Sequence, residues 1–560
     1  MSQIFCDPEY IRAKKKEERR REEKAMGQSS SADRPSPEQL EAESLAASTG
    51  ALPTLQKAFS ILSDPQTKTV PVDSLQKCFL FTIENSENEG TCVPKDFHVL
   101  LSHLSSSMVD LFFLSEKGGG VSWVEFLNGY SRCCGRTIGS TSINNLLRVF
   151  SLMNSKAGLP GKLQFVPGDD ECKANGYLLP VDVLMLLWMC WVMSWDCKKL
   201  KSTESLGFPG LPDVTHLVIS SIQSCVEDGS TKLDLWECSI FETNVQLPVA
   251  KITMWALKTF PYLADCLSQF LQIRLFYLAT HEDKPEQGLP FVIDISPKEN
   301  PVSNLLTSGR AWAISLTLRD TMRDEISKAC FSSSSDEINE IKLYRSSIHG
   351  KGLNRFWSKT EGYNGPLLIL VAAYEPKNAT RKWIIGALIH QGLENKDSFY
   401  GTSGSLYAIS PVFHVLLPSG KEKNFVYSHL HPTVRMYEAH PKPVGIAFGG
   451  SPGSERIFID EDFTVITLRH HACDKTYHNG PLFPGQGFLP LEASIVDVEA
   501  WGLGGEKPKE MQTAYKKREE IFTQQRRKVD LKTFGSWEDS PEKMMMDMVT
   551  DPNAIRREDR

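Results

Sequence analysis

The stretch "GPLLILVAAYEPKNATRKWIIGAL", residues 365–388, decides the fold of the second half of the chain. It places two apolar runs on either side of a polar break, a pattern typical of β-strands separated by a turn. Similar runs recur around it, separated by Gly, Pro, Asn and Ser: "LPFVIDI", "AWAISLTL", "FHVLLPSG", "NFVYSHL" and "ASIVDVEAWGLGG". In "RIFIDEDFTVITL" the alternation predicts a two-strand hairpin broken around Glu461 and Asp462. The sequence therefore predicts a mainly antiparallel β-sandwich here.

Five blocks of this half follow one another in the order found in the TLDc domain family. They are "IKLYRSSIHGKGLNRFW" (341–357), the stretch 365–388, "YGTSGSLYAISP" (400–411), "VGIAFGGSPGSERIFIDEDF" (444–463) and "SIVDVEAWGLG" (494–504). Residues 290–505 thus resemble a TLDc domain, which implies a β-sandwich flanked by helices. The resemblance also implies a link to oxidation resistance and binding to the vacuolar proton-pumping ATPase. One feature departs from the family, because Gly404-Ser405 stands where many members carry Gly-Glu.

Residues 51–280 have a helical character, with apolar residues such as Leu55, Phe59 and Leu62 at helical spacing. The segment "VLMLLWMCWVMSW", 183–195, is apolar enough to suggest a membrane span. It has 13 residues, whereas a span needs about 20. Charged residues stand on both sides of it. We therefore expect a buried core helix.

A recurring pattern within 51–280 resembles the EF-hand, whose loop pairs at position 8 and carries a carboxylate at position 12. The best copy, "LSEKGGGVSWVEFL", places Val121 at position 8 and Glu125 at position 12; its other carboxylate is Glu116. Further copies are "ECKANGYLLPVD" (171–182), with Leu178 and Asp182 at these positions, "VEDGSTKLDLWE" (226–237), with Leu233 and Glu237, and the poorer "SDPQTKTVPVDS" (63–74). Calcium needs six to eight oxygen ligands. The loops therefore predict EF-hand architecture without the ion, and a calcium sensor remains an alternative.

The residues before this region are polar. Residues 1–26 form a predicted basic helical extension, because 11–24 carry eight basic and four acidic side chains. This segment suits a solvated helix, a nuclear localisation signal or a patch for anionic lipids. Residues 27–50 are predicted to be a flexible tether. Its "MGQSSS" matches the N-myristoylation motif, so Gly27 becomes a lipidation site only if translation starts at Met26.

A C-terminal helix and tail are predicted for residues 506–560, after the TLDc-like region. A polar linker is predicted before that region, at 281–289. Met511, Tyr515, Phe522 and Val529 follow at steps of four, seven and seven, which gives a thin apolar stripe on one helix face. A helix this polar folds weakly alone. It therefore either packs on the sandwich or docks on a partner, and these four residues are the predicted partner contacts.

Two regions of the sequence offer candidate catalytic residues. "GTSGS" (401–405) approaches a nucleophile elbow with Ser403, but an elbow requires a strand-to-helix turn, and strand-like sequence follows. Histidines gather in the last third of the chain and offer potential zinc ligands: His429, His431, His470 and His471, with Cys473 and His478. No cysteine pair or H-E-x-x-H helix accompanies them. We predict no catalytic residue, cofactor or metal, and an enzyme with His/Cys or Ser chemistry stays an alternative.

Composition sets the broad class. The net charge is −7 with 41% hydrophobic residues, which argues against a protein built around nucleic-acid binding. The 13 cysteines contain no C-x-x-C pair, and with no secretory signal they predict reduced thiols in the cytosol or nucleus. We expect an α+β multidomain protein: an all-α EF-hand-like module, a TLDc β-sandwich with flanking helices, and a C-terminal helix.

This architecture further resembles the lysosomal, mTOR-associated branch of the TLDc family in animals. It implies a non-enzymatic adaptor, peripheral at the lysosomal or vacuolar membrane, that binds subunits of the proton-pumping ATPase. The role would support oxidative-stress or growth (TOR) signalling. A nuclear or nucleolar protein addressed by residues 11–24 is a further alternative.

Overall fold

The computed structural model describes residues 35–84, 93–94, 96–114, 119–166, 173–202, 206–226, 234–281, 292–294, 304–331, 335–375, 378–430, 442–470, 475–483, 486–537, 543 and 545–546. The basic extension and Gly27 lie outside these residues, as do Glu116, Leu233 and His431. His471 and Cys473 also lie outside them.

The first half is helical, as expected. We refer to the following helices together as the helical region: α1 (Pro37–Ser48), α2 (Leu52–Leu62), α3 (Val72–Phe79), α4 (Asp96–Ser102), α5 (Leu104–Phe112), α6 (Trp123–Cys134), α7 (Gly139–Lys156), α8 (Pro180–Lys201), α9 (Thr215–Cys225), α10 (Val249–Thr259) and α11 (Cys266–Thr280).

Helix α1 corrects the prediction of a flexible tether for residues 37–48, whereas 27–34 lie outside the described residues. The Ser36 side chain accepts a hydrogen bond from the backbone N–H of Gln39 (3.1 Å), and Pro37 occupies the first turn, where its missing N–H has no cost. Ala42 and Ala46, four residues apart, are buried. The small side chains let α1 lie close to α6, where Trp123 Nε1 donates to Glu43 Oε1 at 2.9 Å. Because the buried residues of this face are alanines, the composition of the segment does not reveal that the face is apolar.

Small β-pairings link the helices of this region. Val70 and Val121 form an isolated antiparallel bridge, so the predicted position 8 of the best loop pairs with a residue of the poorest loop, for which no pairing position was predicted. Strands β2 (Leu163–Val166), β3 (Lys173–Leu178) and β4 (Leu247–Pro248) form a second small sheet. In it Leu178 pairs with Leu247. Leu247, just before α10, was not among the residues predicted to pair.

Helix α8 is a core helix, which confirms that prediction. Among the residues that the structure describes, it is the one helix whose length and composition would suit a membrane span. However, 89% of its most apolar 18-residue stretch is buried inside the protein. Trp188, Trp191 and Trp195 place their indole N–H groups on the carbonyls of Pro212, Gly210 and Gly207. The segment after α8 therefore satisfies the polar atoms of these buried indoles.

The second half is dominated by one curled antiparallel sheet. Its strands are β6 (Lys342–Arg345), β7 (Leu367–Glu375), β8 (Asn378–Ile389), β9 (Lys396–Tyr400), β10 (Gly404–Ser410), β11 (His414–Leu416), β12 (Val426–His429), β13 (Gly445–Phe448), β14 (Ile457–Asp460), β15 (Val465–Leu468) and β16 (Leu491–Gly502). The order is β11-β10-β8-β7-β16-β15-β14-β13-β12-β9, and β6 pairs with β16. The long strand β16 connects the two parts of this sheet, because it pairs with β7 on one side and with β15 on the other. The predicted hairpin is confirmed as β14–β15, with its turn at Glu461–Asp462.

The two faces of this sheet are buried in different cores. On β7, Leu367, Ile369 and Val371 belong to a core enclosed by the curled sheet itself. The alternate residues Leu368 and Leu370 belong to a core shared with the helical region. A strand buried on both faces reads as a continuous apolar run, which explains "PLLILVAAY". The helical region and the sheet therefore form one packed body.

Two predicted strands are placed differently. "AWAISLTL" is not a strand, because Ala311–Ser315 lie in helix α12 (Ser308–Ser315), capped by the Thr307 side chain. Trp312, Ala313 and Ile314 are all buried, so the run shows no period that would separate helix from strand. Strand β5 (Val292–Asp294), within "LPFVIDI", pairs in parallel with β1 (Thr82–Glu84) of the first half, not with the large sheet.

The remaining helices flank the sheet or follow it. They are α13 (Asp320–Phe331), α14 (Ser335–Ile341), α15 (Ser346–His349), α16 (Leu353–Thr360) and α17 (Glu506–Trp537). Helices before, around and after a curled antiparallel sheet confirm the predicted α+β class.

Candidate functional site

A buried network of charged side chains lies where β6, α15 and β16 meet. Arg345 Nε donates to Asp497 Oδ2 at 3.0 Å, and its distance to Glu499 Oε1 is 3.5 Å. Asp497 also accepts from the side chain of Ser346 and from both N–H and Oγ of Ser347. Both carboxylates are almost fully inaccessible to solvent. The network joins residues about 150 positions apart in the chain.

The two carboxylates respond differently to burial. Burial works against the charged form of Asp497, but hydrogen bonds from Ser346, Arg345 and Ser347 outweigh it and hold its pKa below the ordinary value. Burial dominates at Glu499 and raises its pKa. Glu499 is held by the backbone N–H of Leu305 (2.9 Å) and by Trp501 Nε1 (3.0 Å). Glu499 thereby ties the segment before α12 to β16, which is a structural role.

The start of α17 is fixed to the sheet region. Gln512 is buried, and its amide donates to the carbonyls of Lys359 and Glu361 at 2.8 and 3.1 Å. Tyr515 OH donates to Glu361 Oε1 at 2.9 Å. The Tyr515 ring lies so close to Gly362 that a Cβ there would come within 2.7 Å of it, and Gly362 has a φ of +79°. The first three turns of α17 are therefore anchored.

The rest of α17 leaves the body. Every residue from 517 to 528 is exposed, and Ile521 and Phe522 are exposed by 46% and 60%. Among the four predicted partner contacts, Met511 (45% exposed) and Phe522 face solvent, whereas Tyr515 is engaged within the molecule. Val529 lies in α17, but its side chain is outside the described residues. The helix thus combines an anchored base with an exposed, partly apolar arm.

The predicted calcium-loop carboxylates serve the helices that follow them. Glu125 forms a capping box with Ser122, whose N–H donates to Glu125 Oε2 at 2.9 Å. Asp182 accepts from the N–H of Leu179 and from Lys162 Nζ, which reaches both of its oxygens at 2.7 and 2.9 Å. A lysine ammonium thereby supplies the positive charge beside Asp182. Among the described residues, no group of three or more His, Cys, Asp or Glu side chains is arranged to hold a metal ion.

The predicted catalytic alternatives are separated in the fold. His429 ends strand β12, and His470 stacks on Phe488 with ring centroids 4.7 Å apart. His478 is exposed in a different segment. Ser403 stands directly before strand β10 and not at a strand-to-helix turn. The described geometry therefore brings none of them together as a triad.

Comparison with known proteins identifies the domain family of the region that contains the curled sheet. The profile of the family described as "TLDc domain" matches residues 315–504, the span that holds α13–α16, the curled sheet and the Arg345–Asp497–Glu499 network. The chain contains a TLDc domain. The resemblance read from the five sequence blocks is confirmed for this part of the chain.

Two curated relatives are similar over short stretches. Restriction of telomere capping protein 5 of Zygosaccharomyces rouxii is 26% identical over 143 residues, which is 26% of this chain and 26% of that protein. The protein of the same name from Kluyveromyces lactis is 28% identical over 132 residues, covering 19% of this chain and 23% of that protein. The chain thus matches about a quarter of the length of these relatives.

Sequence reasoning missed the residues that hold the TLDc domain together. Asp497, Glu499 and Trp501 alternate along "VDVEAWG" and lie on one face of β16, where Trp501 Nε1 meets Glu499. Acidic residues at alternate positions of an apolar strand were the available signal for a buried polar network. At the departure from the family pattern, Ser405 is a nearly buried residue of β10 that pairs with Leu388 of β8.

Proposed function

We propose that this protein is a non-enzymatic adaptor that binds the vacuolar or lysosomal proton-pumping ATPase. The TLDc domain supports the proposal, because that family is associated with this pump. The role would serve oxidative-stress or growth signalling, with the protein peripheral on the cytoplasmic side of the membrane.

The observation that carries the proposal is the shape of α17. Residues 517–528 of the exposed arm are all open to solvent, so they contribute no buried contact to the described fold. Amphipathic helices that dock on partners present their apolar residues in this way. Phe522 and Ile521, with Met511 nearer the base, offer the apolar contacts of such an arm.

A capture experiment with matched variants tests this role. Full-length protein carrying Ile521→Ala and Phe522→Ala is compared with one carrying Gln524→Ala and Gln525→Ala, two polar changes in the same arm. We expect the first variant to recover roughly tenfold less pump from membranes than wild type, since aromatic anchors dominate such interfaces. The second should recover a near-normal amount. Full recovery by both variants, or no pump with wild type, would contradict the proposal.

Membrane attachment through Gly27 is the second part of the proposal. A product that starts at Met26 would expose Gly27 for myristoylation, and one acyl chain would add marginal affinity to that of the pump contact. Intact-mass measurement of the native protein checks this, with an acylated chain starting at Gly27 as the expected species. Unacylated chains starting at Met1, and nothing shorter, would refute it.

A nuclear role is the second candidate. It is favoured by the name that the two relatives share, which refers to telomere capping, and by the basic segment 11–24. Imaging of the full chain with and without charge neutralisation of this segment separates the two roles. Nuclear signal that depends on the segment would favour the nuclear role, and lysosomal signal in both would favour the adaptor.

A further inference from the structure

A large groove runs along the joint between the helical region and the TLDc domain. Its volume is about 1460 Å³, and it lies between helix α10 on one side and β11 with the segment 475–479 on the other. β11 is the last strand at one end of the sheet order. The groove is therefore built by both parts of the molecule, and the proposed pump contact of α17 does not use it.

Helix α10 presents a mixed cationic and apolar face to this groove. Lys251, Met254, Trp255 and Lys258 line it and recur at the i, i+3, i+4, i+7 spacing of one helix face. Trp255 is buried and donates from Nε1 to Ser220 Oγ at 3.0 Å, so it fixes this face of the helix. Met254, by contrast, is 72% exposed. A methionine this exposed between two lysines is not part of a core.

The opposite wall adds two more cations. Lys421 and Lys475 line it, and both are exposed. Lys475 Nζ lies 3.8 Å from the carboxylate of Glu422. The described lining residues include no Asp or Glu. We call the surface defined by Lys251, Lys258, Lys421 and Lys475 the basic groove. Burial and the charge of Lys258 both lower the pKa of His414 in this wall, in keeping with a positive local field.

The basic groove stands out against the charge of the chain. A protein with a net charge of −7 concentrates four lysines around one concave surface. Lys251 Nζ already donates to the carbonyl of Cys225 at 3.0 Å, so the exposed Lys258, Lys421 and Lys475 are the cations that favour an anionic ligand. Its apolar content points to an amphipathic one. Leu257 packs beside Gly139, whose neighbour Ile138 is 72% exposed, as is Met254. Lysines around exposed aliphatic side chains are the composition of surfaces that rest on anionic membranes.

We propose that the basic groove binds the phosphorylated headgroup of an anionic membrane lipid. The lysines neutralise the phosphate oxygens, and Met254 and Ile138 enter the interfacial layer beside the headgroup. Soluble phosphate esters share the chemistry of the headgroup, but they have no apolar part that the exposed aliphatic side chains would contact. The proposal adds a membrane contact to the proposed adaptor role and is tested without the pump, so either can fail alone.

Vesicle flotation with the purified full chain tests it. Vesicles of phosphatidylcholine alone are compared with vesicles that also contain phosphatidylinositol bisphosphate. A groove variant, Lys258→Glu with Lys421→Glu, is paired with a control of equal charge change, Lys57→Glu with Lys77→Glu, at exposed positions on α2 and α3. We expect wild type to bind only the anionic vesicles. The groove variant should bind roughly 20-fold more weakly and the control should change by no more than about twofold.

Two further measurements decide the nature of the ligand. Met254→Ser should weaken vesicle binding but leave binding of soluble inositol trisphosphate, followed by calorimetry, unchanged. Equal loss in the groove variant and the control would overturn the proposal, because it would show a general effect of charge or of residues 11–24. Binding of inositol trisphosphate to the groove without any binding to vesicles would also overturn it in favour of a soluble ligand. Unchanged thermal unfolding of the variants confirms that they are folded.

Discussion

Asp497 is the residue on which the buried network of the TLDc domain depends. Replacing it with Asn keeps the size of the side chain but removes the negative charge that lies 3.0 Å from Arg345 Nε. Breaking a buried ion pair costs about 3–5 kcal/mol. We expect a smaller loss, about 2 kcal/mol of the free energy of unfolding, because Glu499 remains 3.5 Å from Arg345. Urea unfolding at pH 7 measures it.

The same variant gives a signed pH dependence. The pKa of Asp497 is lowered in the fold, so its stabilising effect is present above its ordinary pKa and is lost as pH falls through the folded value. The stability gap between wild type and Asp497→Asn should therefore narrow below pH 4. The exposed Asp462→Asn serves as the control, with a change within about 0.5 kcal/mol. A gap that stays constant down to pH 3 would contradict the assignment.

His216 makes a second prediction at this scale. Its ring is buried beside Phe413, and Nε2 has no hydrogen-bond partner within the described part of the chain. Burial, with a contribution from Arg310 and against that of Asp213, lowers its pKa from 6.5 to about 3. The unfolded chain therefore binds a proton that the folded one refuses between these values, and stability falls as pH drops below 6.5.

The variant His216→Phe removes this titration. Between pH 7 and pH 5 wild type should lose about 2 kcal/mol more free energy of unfolding than the variant. Denaturant unfolding at the two pH values gives this difference directly. The exposed His478→Phe should keep the wild-type slope, and an unchanged slope in His216→Phe would show that His216 titrates normally.

At the scale of elements, substitutions in the anchored base of α17 should lower the stability of the protein, whereas substitutions in its exposed arm should not. Gln512→Ala removes the two hydrogen bonds that the buried Gln512 amide donates to the carbonyls of Lys359 and Glu361, and should lower the free energy of unfolding by about 1–2 kcal/mol. Phe522→Ala lies in the exposed arm and should change it by less than about 0.5 kcal/mol. Thermal unfolding of both variants is the measurement. A strong effect of Phe522→Ala would mean that the arm packs on the body.

The same elements show what sequence could and could not predict. Strand runs bounded by turn residues placed the β14–β15 hairpin correctly, because one strand alternates and the turn is polar. The run 311–318 was misread, since α12 is buried on most sides and shows no period. The sequence predicted that Val121 pairs as position 8 of its loop, but only the fold identifies Val70 as the residue it pairs with. The basic groove was not predicted, because α10 and the 475–479 segment are more than 200 residues apart.

At the scale of the whole molecule, Phe413 joins the TLDc domain to the helical region. It is buried against Phe260, with ring centroids 5.0 Å apart, and its N–H donates to the carbonyl of His216. Because the core is continuous across this joint, we expect one cooperative unfolding transition for wild type in calorimetry. Phe413→Ala should lower the free energy of unfolding by about 3–5 kcal/mol. The exposed Phe488→Ala is the control, and two well-separated transitions in wild type would refute the single unit.

The length of α17 also fixes a distance. At 1.5 Å per residue, its 32 residues span about 48 Å. With its first three turns held against the TLDc domain, the remainder reaches about 30 Å beyond it. A partner bound at the tip of the arm therefore lies about 30 Å from the TLDc domain and has no need to touch it.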